Sequence, residues 1–182
     1  MSTTAVRASM EDLRSPESSR QNRAFQVLLK ATDHPVPWVY DVWDDLLRTL
    51  KDGDHRQRSI AAQVLSNLAK SDSTGRMVKD IRALMKVTRD ERFVTARHCL
   101  QSLWKVGVAG ELQRAVLVKE LKKRFKECRV VKNHTLIRYD ILVVLRRVYD
   151  LNKDEAVWSA AKRLMALEED AKYAKKYMTV WR

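Results

Sequence analysis

Lys119, Lys122, Lys123 and Lys126 are spaced at i, i+3, i+4 and i+7, so on a helix they share one face. Arg129 and Lys132 carry the positive charge into the turn that follows. Lys122 and Lys126 have no acid three or four residues away on either side. Like charges at those spacings cost roughly 0.2–0.5 kcal/mol per pair, so helix stability does not account for the stripe. Contact with phosphates or an acidic partner does. The competing explanation is a solvated outer face. Glu120, Arg124 and Glu127 form a neighbouring stripe that can pair within itself. Arg97, Arg138, Arg146 and Arg147 form a second set of candidate ligand contacts, although Asp150 lies within helical reach of the last two.

Other chemistries find less support. Trp38, Tyr40 and Trp43 cluster near Asp41, Asp44 and Asp45, and aromatic faces can stack on bases. Helical spacing with Val39 and Leu47 instead places Trp43 in a core. His34, His55, His98 and His134 are scattered, and His98 and Cys99, being adjacent, point to different sides of one helix. Cys99 and Cys128 give neither a disulfide framework nor a zinc spacing. No HExxH, CxxC or glycine-rich phosphate loop occurs. No catalytic residue, metal ligand, cofactor or small-molecule site is therefore predicted.

The elements that must position these residues read as helices. The chain has 182 residues, only 4 glycines and 3 prolines, and 45% hydrophobic residues, which suits helices joined by short turns. Its net charge of +13 is unevenly placed: residues 1–91 hold 15 Lys and Arg against 13 Asp and Glu, and residues 92–182 hold 21 against 10. Such a field attracts nucleic acid, anionic membranes or acidic proteins, and equally serves solubility. The longest apolar run, Ile141 to Leu145, is far short of a membrane span. With no secretion signal at the N-terminus, a cytoplasmic protein is expected.

Residues 1–14 are polar and are expected to form a mobile arm, ahead of a single helical domain over 15–182. Ser15-Pro16-Glu17 announces a helix, which His34-Pro35-Val36-Pro37 ends. Seven further helices and a last amphipathic piece follow from apolar spacings of three and four. One begins after Asp90, carries Phe93, Ala96, Leu100 and Leu103, and closes at Gly107.

Two of these segments align at an offset of 35 residues: RSIAAQVLSNL at 58–68 and FVTARHCLQSL at 93–103. A third copy, TLIRYDILVVL, lies at 135–145. Residues 43–69, WDDLLRTLKDGDHRQRSIAAQVLSNLA, resemble a HEAT repeat. Leu46, Leu47 and Leu50 stand for its first helix, Asp52 for the turn aspartate, Arg58 for the early arginine, and Ala61, Ala62 and Leu65 for the second helix. The later copies depart from this pattern, with Phe93 and Thr135 at the arginine position.

The resemblance to HEAT and armadillo proteins covers roughly 36–170. It implies an all-α, right-handed superhelix of about four hairpins with an N-terminal capping helix and a concave side lined by second helices. Arg97, Arg138, Arg146 and Arg147 would line that side, whereas the lysine stripe, on a first helix, would be convex. The implied function is a non-catalytic scaffold for a protein partner. The alternative is nucleic-acid binding by the basic C-terminal half. In its extreme form this is a repair protein similar to the alkylpurine DNA glycosylases built from HEAT-like repeats.

Overall fold

A computed structural model of the chain describes residues 3–182. Among them it contains α-helices and short 3-10 turns and no strand. The chain divides into two compact units, one ending at Ser102 and one comprising Leu103–Arg182. The sequence reading has one domain over 15–182.

The first unit holds α1 (Thr3–Asp12), α2 (Ser18–Ala31), α3 (Val39–Asp52), α4 (His55–Leu68), α5 (Arg76–Val87) and α6 (Phe93–Ser102). Where the sequence suggests a mobile arm, α1 packs on α2 and α3 through Val6, Met10 and Leu13, all buried. These residues recur at i, i+4 and i+7, a stripe diluted by the serines and threonines around it. Helix α2 begins at Ser18, three residues past the expected cap, and Ser15 Oγ accepts only from the Glu17 amide, at 3.1 Å.

The remaining helices follow the repeat. α3 lies between α1 and α5, and α4 lies between α2 and α6, so three hairpins stack in two layers. Ala61, Ala62 and Leu65 are fully buried, and the alanines let the helices approach closely. Asp54, not Asp52, closes the turn between α3 and α4. Its carboxylate accepts from the Gln57 amide at 2.8 Å, and the Gln57 side chain accepts from the Asp54 amide at 3.0 Å. This reciprocal cap satisfies two amides that a helix start leaves free. Gly75 sits at φ 74, a left-handed conformation that favours glycine, immediately before α5.

The second unit holds α7 (Trp104–Ala109), α8 (Glu111–Glu127), α9 (His134–Asn152), α10 (Glu155–Met165) and α11 (Ala171–Met178). The helix expected to run from Asp90 to Gly107 is thus two, α6 and α7, parted at Leu103, and Gly107 lies inside the second. A Cβ at Gly107 would meet Val148 Cγ2 at 2.6 Å and Leu117 Cδ2 at 3.0 Å, so this glycine is what lets α7 lie against both α8 and α9. α8 and α10 pack together, and α9 contacts α7, α8, α10 and α11. No helix among the described residues is long and apolar enough to cross a membrane.

Candidate functional site

The second helices of the first unit leave a groove of about 710 Å³ along their outer face. Its floor is apolar. Phe25 comes from α2, Ile60 from α4, and Phe93 and Val94 from the first turn of α6. Val94 is 62% exposed, an unusual state for a β-branched residue on a helix packed into a core. Polar groups stand around the floor: Asn22 on α2, His55, Ser59 and Gln63 on α4, and Thr95 and His98 on α6. Arg56 and Arg92 complete the rim, and no carboxylate lines the groove.

The repeat builds this surface. In the 35-residue alignment Ser59, Ile60 and Gln63 match Val94, Thr95 and His98, and all six line the groove. Hydrogen bonds fix its two central helices. Thr95 Oγ1 donates to the His55 carbonyl at 2.9 Å, Ser59 Oγ and His98 Nδ1 lie 3.1 Å apart, and Gln63 Nε2 donates to the Ser59 carbonyl at 3.2 Å. Underneath, Arg58 locks the hairpins. Its Nε donates to Asp90 Oδ2 at 2.6 Å and its Nη1 to the Gly53 carbonyl at 2.7 Å. Burial pushes the Asp90 carboxyl up, but the Arg58 hydrogen bond, the Arg92 amide and the Arg58 charge outweigh it and hold it below its ordinary value. The second copy has Phe93 where the first has Arg58. The exchange puts a ring on the groove floor in place of a half-buried cation.

Ser59 and His98 raise the question of nucleophilic catalysis, which needs a base aligned by a third group and donors for a developing oxyanion. The groove supplies no carboxylate for the imidazole, and Ser59 lies within a helix whose amides are taken up internally. The pair is a polar contact between α4 and α6.

Of the basic residues expected to contact a ligand, Arg97 lies beside this groove, whose lining also includes His55 and His98. The Arg97 guanidinium lies 5.7 Å from the ring centroid of Phe93. Arg138, expected as a ligand contact, is 5% exposed and occupied internally. It is buried on α9, where Nη1 donates to Glu168 Oε2 at 2.9 Å, Nε donates to the Phe125 carbonyl at 3.3 Å, and the guanidinium covers the Phe125 ring at 4.6 Å. Arg146 is occupied too. It pairs with Asp150 at 2.9 Å, donates to the Arg182 carbonyl at 3.2 Å and stacks on Trp181. Arg147 is exposed and lies over Trp104 at 5.6 Å.

On α8, Lys123 pairs with Glu127 at 3.7 Å, and Arg129 reaches Glu169 at 2.7 Å. Lys119, Lys122, Lys126 and Lys132 make no ion pair among the described residues. Lys70, just past the end of α4, bonds the end of a neighbouring helix. Its Nζ donates to the carbonyls of Thr32 and Asp33 at 3.0 and 2.9 Å, closing α2.

The aromatic cluster of α3 offers no stacking surface. Trp43 is fully buried with its Nε1 donating to Asp80 at 2.8 Å, Trp38 is 6% exposed, and the Tyr40 hydroxyl donates to Asp72 at 2.8 Å. No cluster of three or more His, Cys, Asp and Glu suited to a metal ion occurs among the described residues. Neither protein-family models nor curated protein sequences give a match to this chain.

Proposed function

We propose that this chain is a non-catalytic HEAT-like scaffold that binds a protein partner through the groove on α2, α4 and α6. One observation carries the reading: a concave surface with an apolar floor is built from equivalent positions of successive repeats. Repeat proteins use such surfaces for recognition, and specific sites combine an apolar floor with a few placed polar groups. The stacked hairpins of the first unit also fit a superhelical array, which the HEAT-like residues of 43–69 support. Partners recovered from cells with the parent chain and with a Val94→Asp, Phe25→Ala variant test the proposal. Loss of a stoichiometric partner from the variant is expected, and an unchanged set of partners would reject the groove.

A second reading rests on a separate observation, the lysines of α8 that have no acidic partner. It makes the second unit a nucleic-acid contact. Affinity for duplex DNA or RNA would then fall steeply with salt, with a slope near one counterion per phosphate neutralised. Replacing Lys119, Lys122, Lys123 and Lys126 by glutamate would abolish it. Absence of binding at low salt rejects this reading outright.

A further inference from the structure

We infer that the occupant of the groove is an acidic peptide segment carrying one aromatic or large aliphatic anchor. The inference rests on the scaffold reading and adds the chemistry of the partner. Charge complementarity is the first argument. Arg56 and Arg92 are exposed on the rim and make no ion pair among the described residues, and no described Asp or Glu lines the groove to neutralise these two; Arg97 stacks on Phe93. Arg56 makes one recorded bond, from Nη2 to the Ser18 carbonyl at 3.2 Å. Guanidinium groups so placed favour carboxylates, which they grip with two parallel bonds.

The second argument comes from the other unit, where the chain covers its own repeat helix. The third repeat copy lies on α9, and α11 packs against α9. Glu168, just before α11, pairs with Arg138 of that copy. Tyr177 of α11 is fully buried, its hydroxyl donating to the Thr135 carbonyl at 2.9 Å and its ring edge-on to Phe125 at 6.4 Å. Thr135 is the register equivalent of Phe93. One carboxylate on an arginine and one aromatic ring by the start of the repeat helix therefore hold a segment onto α9. The groove of the first unit likewise presents arginines and an apolar floor near the start of a repeat helix, although its arginines occupy other register positions, Arg138 being the equivalent of Ala96.

Single-stranded nucleic acid would also find rings and cations here, but its backbone needs a row of cations tracking successive phosphates. The rim supplies Arg56 and Arg92 around a floor that includes aliphatic Ile60 and Val94, which favours a side chain over a base.

The test selects short random peptides displayed on phage against the full chain. Synthetic copies of the recovered peptides are then titrated by fluorescence anisotropy. Peptides rich in Asp and Glu around a single aromatic or leucine are expected. The Arg56→Gln, Arg92→Gln variant should weaken them by about tenfold or more, and so should Phe93→Ala. Circular dichroism spectra matching the parent show that each variant is folded.

Peptides without acidic enrichment that bind the double glutamine variant normally but fail on Phe93→Ala would overturn the inference and leave the groove as the binding surface. Peptides indifferent to every groove substitution would overturn both. Recovery of no peptide, or tighter binding of oligothymidylate that displaces the peptides and needs Arg56 and Arg92, would also overturn the inference.

Discussion

Arg138 gives the sharpest test, because its sequence position suggests a ligand contact and its surroundings make it an internal support. Arg138 and Glu168 side chains are each only 6% exposed, and they meet at 2.9 Å. Replacing Arg138 by alanine would remove the counter-charge of the Glu168 carboxylate, leaving it only the neutral Asp170 amide at 3.2 Å and the Tyr177 hydroxyl, and would open space over the Phe125 ring. Breaking a buried pair from one side costs about 3–5 kcal/mol. In a domain of this size each kcal/mol moves Tm by about 4–8 °C, so Arg138→Ala should melt at least about 12 °C below the parent by circular dichroism. An Arg138→Met, Glu168→Leu double variant should recover most of that loss, since an apolar pair of similar volume removes the stranded charge.

The pair also predicts a pH dependence. Burial pushes the Glu168 carboxyl up, but the Arg138 hydrogen bond, the Asp170 amide and the Arg138 charge together bring it below its ordinary value. The folded value is then lower than the unfolded one. The pair's contribution is fully present above the ordinary glutamate range and is lost as pH falls through that range toward the folded value. Acid melts of the double variant should lack this component. A single variant that melts within about 2 °C of the parent, or a double variant with an unchanged acid profile, would refute the internal role.

Two further predictions concern the first unit and the thiols. Asp90→Ala removes the partner of the Arg58 guanidinium and should cost about 1–3 kcal/mol in urea unfolding; an unchanged midpoint would show that Arg58 does not clamp α4 to the turn before α6. Cys99 and Cys128 are both fully buried, and burial raises both thiols, with the Asp90 charge adding to Cys99 and arginines 124 and 138 opposing it at Cys128. If labelling waits for openings that cost about 3 kcal/mol, a thiol reagent should react with the native chain more than about a hundredfold slower than with the urea-unfolded one, and fast native labelling would contradict the packing of α6 and α8.

The helices were legible wherever apolar residues recur in long, uninterrupted stripes, as in α3 with Val39, Val42, Trp43, Leu46 and Leu50. The helix α1 escaped notice because its Val6, Met10 and Leu13 stripe is short and set among polar residues. Leu103 continues the apolar spacing of α6 into α7, so periodicity alone gives no sign that the helix breaks there. The candidate site was harder to read. Phe25 and Phe93 fit the apolar stripes of their helices and so look like core, yet the open face of the second helices leaves both half-buried. The signal that would have found the groove was the repeat register itself: the positions of Ser59, Ile60 and Gln63 recur as Val94, Thr95 and His98, with polar residues at sites a buried helix would keep apolar.

Counting basic residues also misled, because arginine and lysine have different work in this chain. Arginines 20, 58, 76, 114, 129, 138 and 146 all pair with carboxylates, and several of these pairs join residues 30 or more positions apart. Lys123 and Lys153, by contrast, pair with acids four and three residues away at 3.7 and 3.8 Å. A planar guanidinium holds two acceptors in fixed geometry and tolerates partial burial, whereas an ammonium on a flexible stem stays hydrated. Several arginines here join distant parts of the chain, and Arg138 does so in the interior. Arg56 and Arg92, on the groove rim of the first unit, make no ion pair among the described residues. Glutamine at those two positions should thus leave Tm close to the parent while changing binding, the opposite of Arg138, and that contrast separates arginines that build this protein from arginines that serve its partner.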